Sequence, residues 1–436
     1  MRRLPLYLAL AVQGAMTTGV VAAAEPFIVG TTTHLMDGSP LLARQFQLAS
    51  EAGINSVRED AYWARVELAP GQLQFPTSWR EYDAARTGRG MANLVILDYG
   101  NQFYENNALP RTPAVSNGFA SYVDFVTRAM AGRVNLYEVW NEWDLAGAGD
   151  RRLSDDYLAL VKLTSRQIRQ NDPKAKVLAG AVTTAGINEG FADRLVQGGV
   201  ADWVDGLSLH PYVHCYGDSD VRKTPEGWIQ WMTAVDQRLT RLAGKPVPLY
   251  LTEMGWPTNT GKCGIDEDTQ AQYLARAYFL AKTRPNIRGM WWYDLVEDGT
   301  DAEEFEHHFG LLRPNLAPKP AYNVLKAISP VLTQYRYDSL KSLQAGDLYL
   351  LNFAKGDEQV LVAWTVGQPR QVKIEANGRQ QGPVQTLDTR HPERGRVTSG
   401  QWQCPKAEEE HCTTVITLDV FPRIISLGTA SWLFTR

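Results

Sequence analysis

The segment Leu251-Thr252-Glu253-Met254-Gly255-Trp256 places a glutamate directly after a short apolar run, and Val139-Trp140-Asn141-Glu142-Trp143 repeats that arrangement earlier in the chain. Apolar runs of this length are typical of buried parallel strands. Cleavage of a glycosidic bond requires two such carboxylates, because one protonates the leaving oxygen and the other attacks or stabilises the sugar carbon. The pattern around both segments indicates whether they end at one face of a single sheet.

The chain alternates between strand-like and helix-like stretches. Apolar, β-branched runs predict strands at 27–32, 54–57, 93–97, 134–139, 176–181, 204–209, 247–252 and 287–292. Helical patterns follow them at 40–52, 78–89, 117–131, 154–170, 188–197, 225–243, 268–283 and 319–332. This alternation fits a closed (β/α)8 TIM barrel better than an open doubly wound sheet, which would also need a Gly-rich dinucleotide turn. We therefore expect a catalytic barrel over residues 25–332, with Glu142 and Glu253 ending strands four and seven at one mouth.

The two ends of the chain differ from the barrel pattern. Residues 1–24 combine Arg2 and Arg3 with an apolar run and a final Ala22-Ala23-Ala24, which predicts a secretory signal peptide and a secreted or periplasmic protein. Short alternating runs after about residue 330 predict an accessory β-sandwich domain over residues 333–436. That domain has no acid pair of its own, so we expect a structural role, with sugar binding as the alternative.

Composition excludes some classes of protein and favours others. The net charge is −4 and the basic residues are scattered, which argues against nucleic-acid binding. No apolar run after the signal segment is long enough for a membrane span. Four cysteines in an exported chain favour two disulfides over a metal site, Cys404 with Cys412 locally and then Cys215 with Cys263 by elimination. A pair of unlinked thiols in loops is the alternative.

Other predicted strand ends carry polar and aromatic side chains. Arg58 ends strand two, His210-Pro211-Tyr212 ends strand six, and Trp291-Trp292-Tyr293-Asp294 ends strand eight. Together with Asn141-Glu142 and Glu253, this combination resembles clan A of the retaining glycoside hydrolases, and family 39 within that clan. The resemblance spans nearly the whole chain after residue 24, and it implies hydrolysis through a covalent glycosyl-enzyme intermediate with neither a cofactor nor a metal.

The expected roles follow from charge and from the resemblance. Glu142 is expected to act as general acid and then as general base, and Glu253 as the nucleophile. Arg58 could hold Glu253 ionised through charge-assisted hydrogen bonds, and a hydroxyl from Tyr212 or Tyr293 could orient it. The alternative is that the two glutamates follow strands by chance.

Several neighbouring residues are expected to contact the sugar. Asn141 would donate to the sugar 2-hydroxyl, with a turn cap as the alternative. His210 would bind sugar or brace the acid, unless it is a purely structural histidine. Three tryptophans, Trp143, Trp256 and Trp292, offer flat faces for stacking on a pyranose, or else fill the barrel rim.

Further acidic residues lie near the predicted mouth. Glu59, Asp60 and Asp294 are second-choice acids. The acidic stretch from Asp294 to His308 could suggest a cation site, but it lacks a compact ligand motif, so a solvated loop over the mouth is the preferred interpretation.

These patterns predict a secreted retaining β-glycoside hydrolase acting on a poly- or oligosaccharide. Loops of moderate length at 99–113 and 212–224, together with export and resemblance to the shorter bacterial branch of family 39, favour endo cleavage of a bacterial exopolysaccharide. One alternative is an exo-acting, β-xylosidase-like enzyme. The other is a non-catalytic polysaccharide-binding or matrix protein that has kept the barrel.

Overall fold

The computed structural model of the protein describes residues 26–378, 380, 382–404 and 411–432. The signal peptide predicted at residues 1–24 lies outside the described residues. The last residues of the predicted accessory domain, 433–436, lie outside them as well.

Eight parallel strands close into a barrel, each pairing with two neighbours, and the predicted (β/α)8 fold is confirmed. Every strand overlaps its predicted range, and most of them are short apolar runs bounded by polar loops; β2 is the exception, since it carries Arg58, Glu59 and Asp60. All eight run in the same direction, so their carboxyl ends meet at one mouth. The strands are β1 (Ile28–Thr32), β2 (Ser56–Asp60), β3 (Ala92–Leu97), β4 (Leu136–Val139), β5 (Lys176–Thr183), β6 (Gly206–His210), β7 (Leu249–Met254) and β8 (Ile287–Trp292).

Helices follow the strands and cover the outside of the barrel. Polar caps begin several of them: Thr112 accepts a hydrogen bond from the Val115 amide, and Thr224 accepts one from that of Gly227. The helices are α1 (Leu42–Glu51), α2 (Thr77–Thr87), α3 (Pro113–Ala129), α4 (Arg151–Asn171), α5 (Phe191–Gln197), α6 (Pro225–Ala243), α7 (Glu267–Lys282) and α8 (Pro320–Gln334).

Shorter elements interrupt this repeat. A helical turn at Trp63–Val66 and a hairpin of Glu67–Ala69 with Gln72–Leu73 follow β2, and a short helix at Thr184–Asn188 follows β5. A 3-10 turn at Trp143–Ala146 comes directly after Glu142.

The inside of the barrel is filled by a small apolar cluster. It contains Leu94, Ile96, Leu136, Leu178, Tyr250 and Trp291. The Trp291 indole on β8 donates to the Ser56 hydroxyl on β2, past the intervening strand β1, at 3.2 Å. The interior is therefore a packed core, and the open space lies above it, at the mouth.

Antiparallel strands begin at Arg336, two residues after α8 ends. The strands are β9 (Arg336–Ala345), β10 (Leu348–Lys355), β11 (Glu358–Thr365), β12 (Arg370–Asn377), β13 (Pro383–Asp388), β14 (Arg396–Gln401), β15 (His411–Leu418), β16 (Arg423–Gly428) and β17 (Ser431–Trp432). They form a six-stranded sheet, in the order β9-β10-β11-β16-β13-β14, and a three-stranded sheet, in the order β15-β12-β17. The predicted antiparallel C-terminal part of the fold is confirmed.

The six-stranded sheet is covered on both faces. In β11, Val360, Val362 and Trp364 join the large core of the barrel helices, while Leu361 and Ala363 join a second core shared with the three-stranded sheet. Successive side chains of a strand point to opposite faces, so this alternation makes the sheet a middle layer between α6–α7 and the outer sheet.

Both predicted disulfides are present, Cys215–Cys263 and Cys404–Cys412. The first ties the loop after β6 to the loop after β7, both at the barrel mouth. Among the described residues, no helix combines the length and the apolar composition needed to cross a membrane.

Candidate active site

A cavity of about 310 Å³ opens at the carboxyl ends of the barrel strands. The side chains predicted to meet there do so, since Arg58, Asn141, Glu142, Tyr212, Glu253 and Tyr293 all line it. His210 is fully buried and lies directly beneath the two glutamates.

Glu142 and Glu253 face each other across this cavity. One carboxylate oxygen of each lies within 4.8 Å of the other, and both lie within that distance of a His210 ring nitrogen. The Glu142 side chain is 23% exposed and that of Glu253 is 11% exposed. Glu142 is thus the more accessible of the two to solvent and to a bound molecule.

Arg58 binds the nucleophile candidate directly. Its Nη1 donates to Glu253 Oε1 at 2.5 Å, while its Nε donates to Glu138 Oε2 at 2.8 Å. Burial on its own would raise the pKa of Glu253, but the charges of His210 and Arg58 and a hydrogen bond from Tyr212 outweigh burial and lower it. Glu253 is therefore held as a carboxylate in a nearly dry site.

His210 links the two glutamates to a buried polar chain. Its Nδ1 lies 2.9 Å from Glu142 Oε1, and its Nε2 lies 3.1 Å from the Thr252 hydroxyl. The Thr252 hydroxyl uses its single proton to donate a hydrogen bond to Glu138 Oε1 at 2.9 Å, so its oxygen must accept the hydrogen bond from His210, which places a proton on Nε2. With Nε2 protonated, Nδ1 and Glu142 share one further proton, which lies on one or the other.

The charge of His210 depends on its carboxylate neighbours. Burial on its own would lower the pKa of His210, but the negative charge of Glu253 and the hydrogen bond with Glu142 raise it above its ordinary value. A change in the charge of Glu253 therefore alters the proton balance between His210 and Glu142.

The backbone that presents Glu142 is tightly turned. Trp140 has a φ of 63° and Glu142 a φ of 49°, both in the left-handed region that side chains with a Cβ rarely occupy. Two such residues around Asn141 cost about 1–3 kcal/mol each, which the surrounding packing must offset. The turn aims Asn141 and Glu142 into the cavity instead of continuing β4.

Asn141 has a fixed orientation in the cavity wall. Its Oδ1 accepts from Arg58 Nη2 at 2.8 Å, and its Nδ2 donates to the Tyr99 hydroxyl at 2.6 Å. An amide nitrogen has two protons, so one N–H remains for a bound molecule.

The two predicted tyrosines differ in their contacts. The Tyr212 hydroxyl donates to Glu253 Oε2 at 2.9 Å. The Tyr293 hydroxyl donates instead to Asp298 Oδ2 at 3.2 Å, although its ring lines the same cavity. Of the two, Tyr212 is the one that orients the nucleophile candidate.

The prediction that three tryptophans stack on a sugar in this cavity is wrong. The side chains of Trp143, Trp256 and Trp292 are at most 1% exposed, and none lines the cavity between the glutamates. Each indole N–H donates to a backbone carbonyl, those of Leu153, Lys223 and Phe309 respectively. Trp256 and Trp292 therefore support the barrel rim, whereas Trp143 forms part of the wall of an adjoining cavity. The aromatic rings that do line the cavity are those of Tyr62, Tyr99, Tyr212, Tyr293 and Phe309.

The second-choice acids separate on their surroundings. Glu59 is buried, accepting hydrogen bonds from Thr33 and from the Leu35 amide, and it does not reach the cavity. Asp60 lines the cavity beside the buried carboxyl of Asp98. Burial and the neighbouring Asp60 raise the pKa of Asp98 well above its ordinary value, so Asp98 keeps its proton more readily than an exposed aspartate does.

The prediction of a solvated acidic loop over residues 294–308 holds for only part of that stretch. Asp294 and Glu297 are buried, and Glu297 Oε1 accepts from Lys319 Nζ at 2.8 Å. For these two residues the solvated interpretation is wrong, because the loop folds down onto a buried lysine. Glu306 belongs to the same loop and lines the cavity, and burial together with the charges of Glu253 and Asp298 raises its pKa to about 7.

Two groups of described side chains bring three potential metal ligands within 4.8 Å of one another. They are Glu142 with His210 and Glu253, and His34 with Asp294 and Asp298. In the first group, the guanidinium of Arg58 already neutralises Glu253, which opposes a second cation there.

Sequence reasoning missed several contributors to the site. Glu138 and Thr252 complete the buried chain, and Tyr62, Tyr99, His214, Glu306 and Phe309 line the cavity. A signal for Glu138 was present: a carboxylate inside an otherwise apolar strand needs a buried partner. Asp98-Tyr99 comes just after β3, as Asn141-Glu142 comes just after β4. Residues at the carboxyl ends of barrel strands face the mouth, so the reasoning that located Glu142 also applies to Tyr99.

Comparisons with known proteins place this fold. No protein-family model matches the sequence. A β-xylosidase of Geobacillus stearothermophilus is 24% identical over 206 residues, which are 44% of this chain and 40% of that protein. The match therefore spans less than half of the curated relative's length.

Solved structures resemble nearly the whole chain. A family 39 glycoside hydrolase of Bacteroides cellulosilyticus WH2 superposes with a TM-score of 0.74 at 23% identity, covering 93% of this chain and 81% of that one. A monomeric β-xylosidase of Caulobacter crescentus CB15 gives 0.61 at 16% identity, covering 93% and 97%. The chain thus has the fold seen in family 39 glycoside hydrolases, as its resemblance at the strand ends predicted.

Proposed function

We propose that this chain is a retaining glycoside hydrolase that acts by double displacement. The observation that carries the proposal is the approach of Glu142 and Glu253 to within 4.8 Å between oxygens at the mouth of the barrel. Retaining enzymes hold their carboxyl groups about 5–5.5 Å apart, whereas inverting enzymes leave roughly 6.5–9.5 Å for a water molecule. The resemblance of the fold to glycoside hydrolases of family 39 adds independent support.

In the first step, Glu253 attacks the anomeric carbon, and the bond between that carbon and the leaving oxygen breaks. Glu142 transfers its proton to that oxygen. In the second step, Glu142 accepts a proton from water, the water oxygen bonds to the anomeric carbon, and the ester bond to Glu253 breaks. The exposure of each side chain fits its role. Glu142, the more exposed of the two, can reach the leaving group, and Glu253 is buried beside Arg58, which keeps it ionised.

Asn141 is proposed to bind the sugar 2-hydroxyl through its remaining N–H. The contact would strengthen as positive charge develops on the sugar ring. Its amide cannot easily rotate, because Arg58 and Tyr99 hold its two ends.

At the finer level, we propose a secreted enzyme that cleaves internal bonds of a bacterial exopolysaccharide. Disulfides in both parts of the fold and the signal-like segment at residues 1–24 support export. The relatives from Geobacillus stearothermophilus and Caulobacter crescentus are β-xylosidases, which favours exo action on xylosides as the second candidate. Release of only monosaccharides from chain ends would select that candidate.

Incubation with a panel of activated 2-deoxy-2-fluoro β-glycosides tests the proposal. The fluorine slows both steps, so an activated leaving group lets the glycosyl ester accumulate. Intact mass and peptide mapping should then locate one sugar on Glu253, and Glu253→Gln should abolish the label. Binding of polysaccharide without any labelling, and unchanged by Glu253→Gln, would establish a non-catalytic binding protein instead.

A further inference from the structure

A second cavity adjoins the catalytic one. It has a volume of about 390 Å³ and lies between the loops that follow β3 and β4; we call it the β3–β4 pocket. Tyr99, Asn141 and Glu142 line both cavities, so the two cavities adjoin at Glu142. Glu142 therefore stands between two compartments, and Glu253 lines only the first.

We propose that the β3–β4 pocket binds the leaving-group sugar, an uncharged pyranoside seated with its C–H face on Leu145 and Leu109. This inference rests on the proposed function. A general acid protonates the oxygen that joins the attacked sugar to the leaving sugar, so these two sugars must lie on either side of it. Since Glu253 places the attacked sugar in the catalytic cavity, the leaving sugar falls in the β3–β4 pocket.

The lining of the pocket fits the apolar face of a sugar. Leu145 is 68% exposed and Tyr99 is 40% exposed, and both belong to the small set of large apolar side chains that the described surface presents to water. Leu109 and Ala146 add apolar surface next to them. Exposed apolar groups around a polar anchor such as Glu142 are typical of a carbohydrate-binding cleft.

The charge of the pocket indicates the class of sugar. Among the described residues that line the pocket, Glu142 is the one with a carboxylate, and none is a lysine, an arginine or a histidine. An anionic sugar would lie beside a carboxylate without a cation to pair with it, which is unfavourable in a partly dry cleft. A neutral sugar avoids that cost.

The wall of the pocket is pre-formed by an ordered loop. Glu105, Asn106 and Asn107 occupy the left-handed region in succession. The backbone of Asn107 packs so closely on Gly100 that an added Cβ would lie 2.4 Å from its carbonyl oxygen. The buried Asn101 side chain binds the Phe103 amide and the Glu67 carbonyl, which fixes the start of the loop.

The test uses the glycosyl-enzyme trapped on Glu253 and follows its release. Release to water needs only the catalytic cavity. Release to an acceptor sugar forms a bond between the acceptor oxygen and the anomeric carbon, passes the acceptor proton to Glu142, and breaks the ester. Phenyl β-D-glucopyranoside is the neutral acceptor, and phenyl β-D-glucuronide is its anionic counterpart.

We expect the glucoside to accelerate reactivation with saturation and the glucuronide to have little effect. Leu145→Asp should weaken acceptor binding about tenfold, equivalent to about 1.4 kcal/mol, seen as a tenfold higher glucoside concentration at half-maximal reactivation. Leu145→Met should retain the effect. Leu340→Asp, at an exposed leucine of the C-terminal sheet, serves as the matched control and should behave as wild type.

The outcomes separate the two proposals. Trapping on Glu253 without any effect of the glucoside, or an effect that survives Leu145→Asp undiminished, would overturn the leaving-group site and leave the hydrolase intact. Equal acceleration by the glucuronide would overturn the uncharged class. Absence of any label on Glu253 would overturn the proposed function and this inference with it.

Discussion

At the scale of single residues, Thr252 fixes where a proton can lie. Its hydroxyl donates to Glu138, so it accepts from His210 Nε2 and leaves Nδ1 to share a proton with Glu142. Thr252→Val keeps the shape of the side chain but leaves a buried N–H unpaired, at about 1–3 kcal/mol in the free energy of unfolding. The histidine can then hold its proton on Nδ1 and compete with Glu142 as the acid.

We therefore predict that Thr252→Val slows cleavage of substrates with poor leaving groups more than that of activated aryl glycosides. The latter need little protonation, so the ratio of the two rates reports the acid alone. Thr252→Ser should restore the ratio, because it restores the hydroxyl. An equal loss on both substrates would indicate a merely structural role for Thr252.

Glu306 predicts a pH dependence of stability. Its pKa is about 7 in the folded protein, raised by burial and by Glu253, against 4.5 ordinarily. Between these values the folded chain holds a proton that the unfolded chain has lost. Stability contributed by this proton is therefore complete below pH 4.5, declines as pH rises to about 7, and changes no further above.

Glu306→Gln should remove that decline. Relative to wild type, the variant should gain stability between pH 4.5 and 7 and keep the gain at pH 8, as measured by urea midpoints across that range. The side chain is partly solvated, which makes the effect modest. Glu303→Gln, in the same loop but outside the cavity, is the matched control; an equal gain in that variant would contradict the assignment to Glu306.

The principal residues of the site were predictable because they follow strands. The side chains of Arg58, Asn141, Glu142, Tyr212 and Glu253 meet where the strand pattern places them. The burial of the tryptophans was not predictable, since neighbours from distant segments decide whether an indole face is covered. Sequence position places a side chain near the mouth but does not show what packs over it.

At the scale of elements, β1 carries a glycine for a packing reason. A Cβ on Gly30 would lie 2.2 Å from Trp291 Cδ1, inside the filled barrel. We predict that Gly30→Ala destabilises the fold by about 1–3 kcal/mol, because Trp291 must leave its favoured rotamer or the strands must shift. Equilibrium urea unfolding measures this loss.

Gly217→Ala is the matched control for that substitution. Nothing lies within 4 Å of a Cβ at this position, and its φ is not in the left-handed region. It should change stability little. If both variants unfolded at the wild-type urea concentration, close packing of Trp291 against β1 would not explain the glycine.

The strands and helices of the barrel were largely predictable, because each repeats a local pattern. The helix Arg151–Asn171, for example, overlaps the predicted helix at 154–170 and buries apolar residues at helical spacing, among them Tyr157, Leu160, Val161 and Ile168. Loops were less predictable. The three left-handed residues after Tyr99 depend on contacts with Gly100 and Asn101 that no local period shows.

At the scale of the whole molecule, Trp364 joins the C-terminal sheet to the barrel. Its Nε1 donates to Glu226 Oε1 at 3.1 Å, Arg276 lies 3.4 Å from the same oxygen, and its ring stacks on Tyr349 at 4.7 Å. We predict that Trp364→Ala costs about 3–5 kcal/mol, as for other buried aromatic truncations. Because the substitution lies between two layers, it should lower the midpoint of barrel unfolding as well.

Near-UV circular dichroism and the fluorescence of barrel tryptophans measure this unfolding. Both signals should change at the same urea concentration, and that concentration should be lower in Trp364→Ala than in wild type. Trp402→Ala, a partly buried tryptophan against the outer core, provides the comparison, and it should leave the barrel signal closer to wild type. Two separate transitions in wild type would contradict the coupling.

The sequence predicted both parts of the molecule but not how they join. One hint lay in Val360-Leu361-Val362-Ala363-Trp364, where neither alternate position is polar, which is the pattern of a strand covered on both faces. Long-range contacts decide which element covers the second face, and the local pattern does not show them.

This middle sheet also bears on how the molecule can be divided. A chain cut near residue 335 would leave the outer faces of α6 and α7 without the apolar side chains of β10 and β11 that now cover them, including the contact of Phe353 with Phe279. The excised barrel would expose this apolar surface to water, and we expect it to aggregate. The accessory strands are thus better regarded as a second wall of the barrel than as a detachable module, and a fusion tag belongs beyond them.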